Sequence, residues 1–112
     1  MIKKKDLLGA FSDDVPMLTS ILHEYLIQYN KKISEIEQAL GNKDFEKIAF
    51  SAHSLKGMIG NFTTEKPYQY AYEVETKAKE NDISSTKKTF SLLKEELATF
   101  DREVSAWIHE LS

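Results

Sequence analysis

Three observations predict an all-α fold: an antiparallel up-down-up-down four-helix bundle with a short N-terminal helix. Apolar residues recur at steps of three and four along four long stretches, and no stretch sustains the alternation of a strand. Four glycines and two prolines make 6 of 112 residues, less than half of the roughly 12% typical of proteins, so turns are few and elements are long. The stretches are joined by only about two to five residues, which sets successive helices antiparallel. The length corresponds to one domain over 1–112, able to bury roughly two-thirds of its unfolded surface.

A short helix is expected over 4–11. The first long helix, over about 14–40, opens at Asp14-Val15-Pro16, where Asp is a good N-cap and Pro is tolerated in the first turn. Val15, Leu18, Leu22, Leu26, Tyr29, Ile33, Ile36 and Leu40 form its apolar stripe, and Gly41-Asn42 ends it. Ile21, Tyr25 and Ile27 lie off that stripe and suggest a second contact, with the short helix. The second long helix, about 43–62, begins near Asn42 to Asp44 and carries a heptad-like seam of Phe45, Ile48, Ala52, Leu55, Ile59 and Phe62. The third, about 64–81, takes Thr64 as its N-cap and runs through Tyr70, Ala71, Val74 and Ala78 to Asn81-Asp82. The fourth, about 85–111, begins at Ser84 or Ser85 and repeats Phe90, Leu93, Leu97, Phe100, Val104, Trp107 and Leu111. There is no internal repeat and no low-complexity linker.

Composition excludes several functions. Hydrophobic residues at 41% are too many for a disordered tail, and charged residues at 29% are too many for a membrane span. No apolar run approaches the ~18 residues such a span needs. The absence of cysteine removes disulfide frameworks and thiolate zinc sites. A net charge of -3, with Lys3-Lys4-Lys5 as the only basic run, does not fit a nucleic-acid binder. Leu7 to Phe11 is too short for a signal peptide, so a cytoplasmic location is expected. Tyr68, Tyr70 and Tyr72 lie on a helix that is not basic, so packing explains them better than base stacking. No Glu-x-x-His pair of the kind used by di-iron bundles is present, and no metal site is expected.

The chemistry concentrates in Ala52-His53-Ser54-Leu55-Lys56-Gly57. With Ala52 and Leu55 on the core seam, His53 falls on the flank of its helix. Its helical neighbours are Ala49, Lys56, Gly57 and Gly60, so the imidazole rises from a nearly bare surface. Each helix-interior glycine costs about 1 kcal/mol relative to alanine, and close approach of a partner or another backbone is the usual compensation. An isolated bundle histidine is ordinarily a solvated surface group, as His23 and His109 are expected to be; the added lysine and glycines set His53 apart.

His53-Ser54-Leu55-Lys56-Gly57 resembles the His-x-Leu-Lys-Gly signature of histidine phosphotransfer (HPt) domains. The resemblance extends over nearly the whole chain: Gly41-Asn42-Lys43-Asp44-Phe45 is similar to the Gly-Asp turn before the histidine helix. Asn61-Phe62 and Val74-Glu75 stand where the family tends to carry Asn-Leu and Leu-Glu. Thr63 replaces a glycine common in the family. The resemblance implies a phosphorelay carrier that accepts a phosphoryl group on His53 from a receiver-domain aspartate and passes it to another receiver, or takes it from a hybrid sensor histidine kinase. It implies charge stabilisation by Lys56 and a hydrogen bond from the His53 ring to Glu75, whose bland alternative is an i,i+4 pair with Lys79. Ala49, Gly57 and Gly60, helped by Leu8 and Phe11, would dock the receiver. Mg²⁺ is expected on the receiver and no cofactor on this chain, which lacks a Gly-rich phosphate loop and so an ATP site of its own. The chain is expected to be a monomer. Two other readings stay open: the phosphoacceptor domain of a chemotaxis-type kinase, and a non-catalytic helical interaction module.

Overall fold

The computed structural model describes residues 1–112 and contains five helices and no strand: α1 (Lys4–Ala10), α2 (Val15–Gly41), α3 (Phe45–Gly60), α4 (Lys66–Lys79) and α5 (Ile83–Leu111). Each of the long helices packs on its successor, α5 closes back on α2, and α3 with α4 forms the most extensive pairing. The molecule is 43 Å long and about 20 Å across. No helix is long and apolar enough to cross a membrane.

The helix starts follow from carboxylate caps. Asp14, Asp44 and Asp82 each accept a backbone N–H three residues on, from Met17, Lys47 and Ser85, which satisfies an otherwise orphaned donor. Asp82 therefore caps α5, not Ser84 or Ser85, because its side-chain oxygens reach both the N–H and the hydroxyl of Ser85. Thr64 is not the cap of α4 either. Glu65 occupies that position without a side-chain bond, and the buried Thr63 hydroxyl accepts from the Glu65 N–H instead. α2 and α4 end in left-handed residues, Lys43 (φ 53°) and Asn81 (φ 58°), with Asp44 and Asp82 N–H groups bonding back to Ala39 and Lys77 carbonyls. Gly41 is the last helical residue of α2 and is not the left-handed one. α3 ends differently. Thr63 donates to the Ile59 carbonyl with no positive φ nearby, so a threonine fits where the family commonly places glycine.

The core is the expected set of stripes: Leu18, Leu22 and Ile36 from α2, Ile48, Ala52, Leu55 and Ile59 from α3, Ala71, Val74 and Ala78 from α4, and Leu93, Leu97, Phe100 and Val104 from α5. The off-stripe residues of α2 behave differently from expectation. Tyr25 turns inward, edge-on to Phe62 and Phe100 and stacked on Tyr29. Ile21 lines a shallow groove with Met58, and Ile27 stays 63% exposed.

Tyr25 goes inward because its hydroxyl has a partner there: it donates to Asp101 Oδ1 at 3.0 Å, while the other carboxylate oxygen is buried without one. Burial pushes the Asp101 carboxyl above its ordinary value, and the Tyr29 and Tyr25 hydroxyls pull it back only partly. A carboxyl that holds its proton more tightly folded than unfolded weakens the fold as pH rises from the ordinary value of 3.8 through the raised one. Asp101→Asn removes that loss. Its melting temperature relative to wild type is expected to climb between about pH 4 and pH 7. A constant difference across that range contradicts the assignment.

Candidate functional site

α3 sets the site. The Asp44 cap and the buried seam fix its rotation, which leaves His53 on the flank facing α4 with its side chain 66% exposed. α4 answers with Glu75, one position after the buried Val74, its side chain only 8% exposed. Glu75 Oε2 lies 3.1 Å from His53 Nδ1 and 3.0 Å from Lys79 Nζ, and Oε1 lies 3.0 Å from Lys56 Nζ. One carboxylate thus gathers the ring and both lysines. Lys56, its side chain 15% exposed, also places its ammonium 4.8 Å from the centroid of the Tyr72 ring.

The protonation pattern follows. Burial alone would raise the Glu75 carboxyl, but hydrogen bonds from Lys56 and Lys79, the Lys56 charge and the His53 contact outweigh it and hold Glu75 below the usual carboxylate range. An ionised carboxylate only accepts, so the Nδ1 that faces it carries the proton. In the neutral ring, Nε2 then keeps its lone pair. Nε2 is thus the ring atom with an available lone pair, in a ring held by a bond on its far side.

The two glycines near His53 are not equivalent. A Cβ placed on Gly57 meets nothing within 4 Å, so the surface one turn beyond His53 is open. A Cβ on Gly60 would lie 3.1 Å from Tyr68 Cε2 and 3.4 Å from Cδ2, so Gly60 is not bare surface but the seat of a ring from α4. Gly60→Ala is expected to be less stable than Gly57→Ala by about 0.5–1 kcal/mol, since both gain helix propensity and only the former overpacks. Equal melting temperatures would remove the distinction.

Ala49 is half-buried, one turn before His53. Leu8 and Phe11 are half-buried against the core at α1, which packs on α2 and reaches α5 through Lys4, over the Trp107 ring and beside Glu110. Just before α1, the Lys3 N–H bonds the Phe62 carbonyl, beyond the end of α3. The structure therefore does not bring Leu8 and Phe11 together with His53 in one helix pairing. Lys56 is pinned to Glu75 and is not a free cation. His23 and His109 are exposed and outside the site. Sequence reasoning passed over Phe50 and assigned Tyr72 to packing, but both are exposed large hydrophobics flanking the site. Phe50 stands three residues before His53 and Tyr72 three before Glu75, the spacing that would have pointed to them. No group of three acidic, His or Cys side chains is arranged to hold a metal.

The sequence matches the family model of the Hpt domain over residues 6–103. The chain belongs to the Hpt domain family. It is a histidine phosphotransfer module of a phosphorelay, and Hpt domains of this kind are phosphocarriers that exchange phosphoryl groups with receiver domains and kinases. The fold is similar to the crystal structure of histidine-containing phosphotransfer protein B (HptB) from Pseudomonas aeruginosa, with a TM-score of 0.88 at 16% identity, covering 97% of this chain and 95% of that one. No curated protein matches the sequence. In this Hpt domain the signature histidine and the glutamate of the next helix, 22 residues apart, meet at one hydrogen bond.

Proposed function

We propose that His53 is the phosphoacceptor, taking the phosphoryl group from a receiver-domain aspartate and passing it to a second receiver. The hydrogen bond between His53 Nδ1 and Glu75 Oε2 carries this reading, because it leaves Nε2 unprotonated and aimed outward. In the transfer, the Nε2 lone pair forms the N–P bond. The bond from phosphorus to the aspartyl oxygen breaks, and its electrons leave on the aspartate carboxylate. The Nδ1 proton stays in place, and Glu75 stabilises the positive charge that the ring acquires.

The rest of the arrangement supports a shared site completed by its partner. Phosphoryl transfer needs in-line positioning and cations more than covalent machinery. The receiver supplies Mg²⁺ and an acidic pocket, while this chain supplies the oriented ring and contributes no ATP site. Docking over Ala49, His53 and Gly57 is favoured by the open surface at Gly57, with Phe50 and Tyr72 as exposed apolar flanks. Residues 1–112 act as one domain, an up-down-up-down four-helix arrangement working as a monomer in the cytoplasm, free or as the cytoplasmic part of a membrane-anchored sensor kinase. Incubation with a phosphorylated receiver domain tests the reading. Acid-labile label should appear on this chain. Label acquired only from a kinase catalytic domain, and never from a receiver, would instead favour the chemotaxis-type acceptor.

A further inference from the structure

The structure assigns to Lys79, not to the signature lysine, the role of the cation that meets the phosphoryl group on His53; this rests on the phosphocarrier reading above. The two lysines touch the same carboxylate but are held differently. Lys56 has a side chain only 15% exposed, and its Nζ is the partner of Glu75 Oε1 and also lies over the Tyr72 ring. Withdrawing it would strip a buried carboxylate oxygen of its hydrogen bond, the expensive way to break a pair. Lys79 is 65% exposed and bonds Oε2, which already accepts from the imidazole Nδ1–H. Withdrawing Lys79 leaves Oε2 with a partner. The Lys79 side chain is itself largely in solvent, so of the two ammoniums this is the one free to move.

The chemistry of loading favours that move. Nε2 gains the phosphoryl group, which carries its negative charge to the ring. The ring keeps its Nδ1 proton and becomes formally cationic, so its bond to Glu75 Oε2 strengthens just where Lys79 has been sitting. The carboxylate then needs Lys79 less and the phosphoryl oxygens need a cation more. Because both groups hydrogen-bond the same oxygen, the ammonium starts beside the ring and has only a short swing to make. Lys56 is a positioning residue in this account: it holds Glu75, and through Glu75 the ring.

The experiment uses the intact chain with phosphoramidate as donor, so that no receiver contact enters. Wild type, Lys79→Ala, Lys79→Arg and Lys56→Ala are compared by loading rate and by ¹⁵N signals of the His53 ring. Lys79→Ala should load at least fivefold more slowly with the Nδ1–H tautomer unchanged, and Lys79→Arg should recover most of the rate. Lys56→Ala should lose the single tautomer. Loading of Lys79→Ala within twofold of wild type, or no recovery in Lys79→Arg, overturns the assignment while leaving the carrier reading intact. A wild type that never labels at His53 removes the carrier reading, and this assignment with it.

Discussion

His53→Gln is expected to abolish acid-labile phosphorylation while leaving the fold intact. The loss should be complete because Nε2 of His53 is the single histidine nitrogen here that is both outward-facing and oriented through its ring by a carboxylate. The fold should survive because the ring is mostly solvent-exposed and fills no part of the core. Glu75 would keep its two lysine partners and remain satisfied. The melting temperature should therefore shift by no more than about 4 °C, the effect of roughly 1 kcal/mol or less in a domain of this size. Label surviving in the variant, or label stable to acid as a seryl phosphate is, would sink the assignment.

Gly57 yields the second large effect, with opposite signs for stability and transfer. Nothing lies within 4 Å of a Cβ at this position, and its φ lies in the ordinary helical range. Gly57→Ala should therefore stabilise the domain by up to about 1 kcal/mol, from helix propensity and the reduced freedom of the unfolded chain. Gly57→Gln should also fold, but its side chain would stand one turn from the ring, where a receiver must approach. Transfer from a phosphorylated receiver should fall at least tenfold, about 1.4 kcal/mol in the barrier. Loading from phosphoramidate should stay within about twofold, because the ring, Glu75 and both lysines are untouched. Thermal melts read beside the two rates decide the matter. Equal loss of both reactions with loss of stability would mean that the glycine serves packing.

What was legible in the sequence divides along physical lines. The seam of α3 was readable because a heptad-like spacing puts Ile48, Ala52, Leu55 and Ile59 on one face whatever the neighbours are, and all four are fully buried. His53 was readable because its small neighbours are fixed by helix geometry alone. The cap of α5 was not: Asp82, Ser84 and Ser85 are all good cap residues, and the choice depends on which oxygen reaches a particular N–H. Gly57 and Gly60 are identical as letters, and only the position of Tyr68 on the next helix separates them. The His53–Glu75 contact crosses two helices, so it came from the family resemblance and not from periodicity. Tyr25 was read as a contact with the short N-terminal helix because its phase is off the stripe; the buried Asp101 carboxyl draws it inward.

The turns and α3 distribute glycine in an unusual way. None of the four glycines has a positive φ, whereas Ser12, Asp13, Lys43 and Asn81 do. Bends where glycine would relieve about 1 kcal/mol of left-handed strain are made by other residues. Glycine stands instead in α3, at Gly57, where backbone geometry gains nothing from it. The turns that hold the scaffold and the surface proposed for docking are thereby separate in the chain. A drifting or engineered sequence can gain stability at Lys43 without altering the surface proposed for receiver docking. It can also vary the proposed docking surface around Gly57 while the turns hold the scaffold constant.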